Sequence, residues 1–202
     1  MVFRNRKNIG KRHQLLYYRH TMDRLWRFAL LVVIVLAIVW WFKSFGRDID
    51  LIIFASAAMA LVVMVFAIMA RNMGYVQAFG DHLRLVTPFL RLKIAYRRIQ
   101  SARPMEFIKL FPPKKMKWAD RNFSEPYFGK TVVAVNTNGY PLNPTLLRLF
   151  LPRQIFNPQG TGFVFVISDW MSLNTEIDSM MSVWRETQAK RTATGRGTLG
   201  LR

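Results

Sequence analysis

The chain has 202 residues, 51% of them hydrophobic, yet it carries a formal charge of +19 and a sequence pI near 11.2. Apolar and basic residues in these proportions do not share one soluble surface, so they belong to different stretches of chain. Cysteine is absent, which excludes disulfides, thiolate nucleophiles and Cys-ligated zinc, and the three histidines, His13, His20 and His82, leave few centres for metal or general-base chemistry.

Residues 1–24 form a basic arm. Leu15, Tyr18, Met22, Leu25 and Ala29 recur at helical spacing, which predicts an amphipathic helix running into the first apolar segment. Arg12, Arg19, Arg24 and Arg27 are then candidates for contact with anionic lipid, although fixing membrane topology is a sufficient role for them. The first residues, MVFRNRKNIGKR, read equally as a disordered tail.

Residues 25–70 are expected to form a transmembrane hairpin. Phe28–Phe42 is uncharged and short, but Arg27 and Lys43 can snorkel to the headgroups, and Trp26, Trp40 and Trp41 fall at interfacial depth. No small-residue cleavage site follows, so this segment reads as a retained anchor. Leu51–Ala70 is an uncharged run long enough, at about 1.5 Å per residue, to cross about 30 Å of hydrocarbon. Ser56 and Ala60 have the small-xxx-small spacing that lets helices approach closely, first of all the first span of the same chain and alternatively a helix of another protein. No ionisable residue lies deep in either span, which argues against a transporter or proton relay. The loop between them is short and neutral while both flanks are basic, so both termini are expected in the cytoplasm of a two-span inner-membrane protein.

Residues 71–190 are expected to form one cytoplasmic domain. Tyr75, Gln77 and Phe79 alternate, Gly80-Asp81-His82 makes a turn, Leu83, Leu85 and Thr87 alternate with Arg84 and Val86, and Leu90, Leu92, Ile94 and Tyr96 alternate with Arg91, Lys93, Ala95 and Arg97. This predicts a meander with an apolar core face and a cationic outer face. Residues 130–139 and 162–169 read as further strands, and Asn143-Pro144 as the cap of a helix stopped before Pro152. Leu173, Ile177, Met180 and Trp184 make one helical stripe in a C-terminal helix, with Ser172 as its cap. Residues 191–202 are small, polar and cationic and are expected to be disordered.

IAYRRIQSA, Ile94–Ala102, resembles the I-P-Y-x-R-I-Q-S-V signature of bacterial pleckstrin-homology-like domains, which in bacteria often follow a pair of membrane spans. The resemblance implies a PH-like curved antiparallel sheet, or partly open barrel, with a C-terminal amphipathic helix: an α+β domain behind a membrane helical hairpin. The sequence departs from the pattern at Ala95, where proline is usual, and at residues 107–130, a longer proline-broken loop.

Function is expected from the cations. Arg84, Arg91, Lys93 and Arg97, with Arg98 nearby, form the candidate face for anionic lipid or a partner; Lys114, Lys115 and Lys117 beside Trp118 form a second, in a loop alternating charge with apolar side chains. The plainer role of both is a solvated surface. His82, in a turn beside Asp81, is expected to face solvent. No H-E-x-x-H, G-x-S-x-G, P-loop or dinucleotide fingerprint occurs, and no catalytic, cofactor or metal residue is assigned, nor any small-molecule substrate. The resulting expectation is a non-enzymatic membrane scaffold or adaptor, binding a membrane or cytoplasmic protein or the anionic inner leaflet. Alternatives are an accessory subunit of a larger membrane complex and a membrane-tethered nucleic-acid-binding module, the latter disfavoured because the strand aromatics fall on core faces.

Overall fold

The computed structural model describes residues 9–42 and 47–197, so the loop and tail expectations at 1–8, 43–46 and 198–202 lie outside the described residues. In chain order the elements are β1 (Ile9–Gln14), α1 (Leu16–Phe42), α2 (Arg47–Ala70), β2 (Tyr75–Phe79), β3 (His82–Val86), β4 (Arg91–Ala95), β5 (Ile99–Glu106), α3 (Phe107–Leu110), α4 (Trp118–Ser124), β6 (Thr131–Thr137), α5 (Pro144–Phe150), β7 (Gly162–Phe165) and α6 (Trp170–Gly197). They divide into two units: α1 and α2 form one, and all the strands with the later helices form the other.

In the helical unit, α1 and α2 are long and apolar enough to cross a membrane. The amphipathic arm and the first span are one continuous helix from Leu16, burying Tyr18, Met22 and Ala29. The two helices meet through buried Ala67 and Ala70, an Asp23–Arg71 ion pair at 3.1 Å and an edge-to-face Trp40–Phe54 contact at 5.6 Å. Ser56 and Ala60 line an open groove of about 560 Å³ with Leu25, Phe28 and Val32, and Ser56 is exposed.

The second unit is α+β. A four-stranded antiparallel sheet has the order β1-β2-β3-β4, and a three-stranded one the order β5-β6-β7. The meander expected from residue 75 onward is present, but its first neighbour was not foreseen. β1 precedes the apolar helices and pairs with β2, Arg12 against Gln77, His13 against Val76 and Gln14 against Tyr75. Division of the chain at residues 24 and 71 therefore cuts one sheet in two, and Leu15 is not part of the helix but bridges Ile167 at 1% exposure.

β1 is irregular between Ile9 and Arg12, and side chains satisfy the polar groups this frees. Gln77 Nε2 donates to the Gly10 carbonyl at 2.8 Å, and the Lys11 N–H donates to the Glu176 carboxylate at 3.2 Å. Gly10 has no Cβ because Glu176 Oε2 occupies that space. His13, expected on a solvated arm, is buried with Nε2 3.3 Å from the same carboxylate oxygen.

β5 covers the end of the signature, Ile99–Ala102, and the residues up to Glu106, to which the sequence assigned no element. Its Pro104, opposite Val133, is tolerated because β5 is an edge strand. The proline-broken loop after it is helical in part and is folded around Phe107, which is fully buried and stacks on Phe111 at 4.8 Å and edge-on to Tyr127 at 6.0 Å. In β7, Gly162 lies directly against the strand in the middle of its sheet: an added Cβ would run into the Val135 carbonyl oxygen and stand 3.0 Å from Asn136 Cα. Backbone cannot yield as a side-chain tip can, so Gly162→Ala is expected to destabilise the domain by about 3 kcal/mol, at the upper end of overpacking costs. Urea unfolding would show it as a fall in midpoint at unchanged slope.

α6 buries Leu173, Ile177 and Met181, with Met180 and Trp184 half-buried at the edge of the stripe. The spacing i, i+4, i+8 replaces the i, i+4, i+7 expected. Its cap is Asp169, whose Oδ1 accepts from the Ser172 N–H at 3.1 Å, so Ser172 is capped rather than capping. The helix continues through the residues expected to be disordered from 191, as far as Gly197, with a Glu186–Lys190 pair at 2.7 Å that holds the carboxyl below and the ammonium above their ordinary values. At α5, Asn143 caps as expected, accepting from the Thr145 N–H at 3.1 Å.

Candidate functional site

The outer face of the four-stranded sheet is where the strand register gathers charge. Core residues alternate inward: Val76, Ala78, Leu83, Leu85 and Ile94 are fully buried, and Leu92 nearly so. The residues between them share the other face. Register sets Arg12 beside Gln77, Gln77 beside Arg84 and Arg84 beside Lys93, a row across all four strands, with Arg91 beside Val86 in the next.

Hydrogen bonding fixes how close Arg84 and Lys93 are. The Tyr96 N–H donates to Asp81 O at 3.3 Å and the Thr87 N–H to Leu90 O at 2.8 Å, so those are hydrogen-bonded pairs of the β3–β4 ladder. By alternation, Arg84–Lys93 is a non-hydrogen-bonded pair, the kind in which facing side chains approach most closely, at about 4.5 Å between Cα atoms. Like charges in that position destabilise a sheet by a few tenths to about 1 kcal/mol. None of the four strands contains Asp or Glu. The Arg84 Nε is buried without a hydrogen-bond partner, a further cost of the arrangement.

Aromatic rings support the cations. The Arg12 guanidinium lies 5.0 Å from the Tyr75 ring centroid, and that of Arg84 lies 6.0 Å from Phe79. His82, expected in solvent, stacks on Phe79 at 5.0 Å while its Nδ1 stands 2.6 Å from Asp81 Oδ1. Tyr75 and Phe79 thus belong to the outer face, exceptions to the expectation that strand aromatics fall mostly on core faces. Tyr96 does point inward: burial first, then the Asp81 and Glu176 carboxylates, push its phenol well above the ordinary value, and it packs 6.5 Å from Trp184.

The other expected residues are dispersed. Arg97 and Arg98 are exposed on the short turn after β4, and Arg98 donates to the Tyr140 carbonyl at 3.0 Å. Lys114, Lys115, Lys117 and Trp118, the last 81% exposed, stand on the β5–β6 connection, beside the three-stranded sheet. Arg12, expected at the membrane surface with Arg19, Arg24 and Arg27, is a strand residue of the sheet face, whereas the other three are on α1.

A second concavity escaped sequence reading. Gln100, Asn136, Asn138, Asn157 and Gln159 line a polar cleft of about 500 Å³ at one end of the three-stranded sheet. Their amides mostly serve one another: Asn157 Nδ2 donates to Asn136 Oδ1 at 2.7 Å, and Asn136 Nδ2 to Ser101 Oγ at 3.3 Å. Only the NTN run at the end of β6 hints at it in the sequence. Among the described residues, no three of His, Asp and Glu group closely enough to hold a metal ion. No protein-family model, curated protein or solved structure matches this chain.

Proposed function

We propose that this protein is a membrane-anchored, non-enzymatic scaffold or adaptor whose PH-like domain lays its cationic sheet face on the anionic inner leaflet of a bacterial cytoplasmic membrane. The observation that carries the reading is the row itself. Arg84 faces Lys93 with Arg12 and Arg91 on the same surface and no carboxylate in any of the four strands of that sheet, an arrangement that costs the fold stability and is relieved by an external anion. A lipid surface supplies many such anions at once, at about 1 kcal/mol for each cation near it.

The PH-like assignment draws on the IAYRRIQSA signature, on sheets of four and three strands, and on a C-terminal helix packed against strands of both. Strand pairing supports the topology. Gln14 and Tyr75 are neighbours in the sheet, so the chain leaves for α1 and returns from α2 at adjacent points, and apolar helices inserted there cross a bilayer in pairs. The basic flanks put those points in the cytoplasm.

The test is flotation of the domain lacking its apolar helices, residues 9–15 joined to 75–197 by a short glycine-rich linker, with vesicles containing phosphatidylserine or phosphatidylcholine alone. Binding to the first, weakening as salt rises, is expected; equal partition into both would sink the lipid reading.

A further inference from the structure

The free edge of β4 has a property beyond lipid contact. The strand is the last of its sheet, and β3 is its neighbour on one side only. Leu90, Leu92, Ile94 and Tyr96 spend their backbone groups on β3, as the Thr87–Leu90 and Tyr96–Asp81 bonds show. Alternation then turns the N–H and C=O groups of Arg91 and Lys93, and the N–H of Ala95, to the open side. The Ala95 carbonyl serves as cap acceptor of the short 3-10 turn Tyr96–Arg98; among the described residues, no backbone hydrogen bond outside the ladders uses the other groups. The same three residues have exposed side chains. The edge therefore presents a row of unmade hydrogen bonds flanked by two cations two residues apart.

We propose that this edge is a docking site for an extended acidic segment of a partner protein, which adds to the sheet as a fifth strand beside β4. Main-chain bonds to Arg91, Lys93 and Ala95 hold the segment, and carboxylates at alternate positions sit beside Arg91 and Lys93 on the outer face. The positions between them point to the side of Leu92 and Ile94 and take apolar residues, so the motif is acidic–apolar–acidic.

Charge excludes the other occupants of a bare edge. A second copy of β4 would set cations against cations, the device by which natural sheets discourage edge-to-edge pairing. The residues outside the described structure, 1–8, 43–46 and 198–202, contain no Asp or Glu, so those segments of the chain cannot supply the complementary strand. Lipid offers charge but no strand.

The substitution that separates the two partners is Ala95→Pro. Ala95 has φ −65° and ψ 139°, proline's own backbone, and its N–H makes no ladder bond. The variant keeps every charge and the fold while deleting one donor from the edge. The assay uses the full chain in nanodiscs of neutral phosphatidylcholine and a fluorescent, end-blocked peptide alternating Glu with Val. An isomer with its glutamates in one block serves as control. Fluorescence anisotropy is expected to show at least tenfold tighter binding of the alternating peptide and about a tenfold loss in Ala95→Pro, as for one missing hydrogen bond. Methylating the peptide's amide nitrogens should abolish binding when placed on one alternate set and spare it on the other, a readout that needs no change to the protein. Retained vesicle binding by the same substitution in the helix-deleted domain would place the effect on the edge and not on the cationic face. Equal affinity for both isomers, or indifference to Ala95→Pro and to both methylation patterns, would reduce the interaction to charge attraction and overturn the proposal.

Discussion

A chain that begins at Arg71 will fail to fold, while residues 9–15 joined through the short glycine-rich linker to 75–197 will give a soluble domain that unfolds in one cooperative step. The first chain lacks β1. It loses Leu15, which is 1% exposed, and removing a buried leucine side chain costs about 2–5 kcal/mol. It also strips the half-buried Glu176 of both partners, the Lys11 N–H and His13 Nε2, at about 0.5–1.5 kcal/mol for each lost hydrogen bond. The sum approaches the total stability of an ordinary domain, about 5–15 kcal/mol. It further uncovers the edge of β2, whose Val76 and Ala78 are fully buried in the intact sheet. The second chain restores all of these, because Gln14 and Tyr75 are already paired and a short turn can join them as a hairpin. Circular dichroism with thermal and urea unfolding of the two chains would show the difference. Equal stability would mean that β1 contributes nothing to the sheet.

Replacing Arg91 and Lys93 by glutamate is expected to raise the stability of that helix-deleted domain while nearly abolishing its attachment to anionic vesicles. A glutamate at 93 faces Arg84 directly and turns a like-charge pair into an opposite-charge one, a gain of up to about 1 kcal/mol. On the membrane each substitution loses about 1 kcal/mol of attraction and adds about as much repulsion, so two together cost about 4 kcal/mol, near a thousandfold in partition. The two signs oppose each other, which is the mark of charge kept for a partner and not for the fold. Surface cations serving only solubility would leave vesicle binding where it was.

How much of this the sequence disclosed depends on where each contact's partner lies. β3 and β4 were legible because their alternation is complete within a few residues and the turn between β2 and β3 is marked by Gly80 and Asp81. The charged face followed from the same alternation. β1 was not legible: IGKRHQ holds a single large apolar residue, and what makes it a strand is a neighbour beyond two apolar helices. Register across that gap decides that Arg12 joins Arg84 and Lys93, and no local pattern states it. The Glu176–His13 contact spans 163 residues and was equally hidden. In β2 the alternation was legible but not which side faces the core, because Tyr75 and Phe79 are more apolar by type than Ala78, yet they serve as platforms for Arg12 and Arg84. β5 was obscured by Pro104, a residue that argues against a strand unless the strand is known to lie at an edge.

The claim beneath these readings is that the segments before and after the apolar helices form one sheet on one side of the membrane, and oxidative cross-linking in intact membranes tests it most directly. The chain has no cysteine, so Arg12→Cys with Gln77→Cys introduces the only two thiols, at positions whose Cα atoms stand directly opposite and within disulfide reach. Rapid formation of an intrachain disulfide, seen as faster migration on a non-reducing gel, is the expected result. Two thiols that both react with a soluble maleimide yet never join would contradict the account.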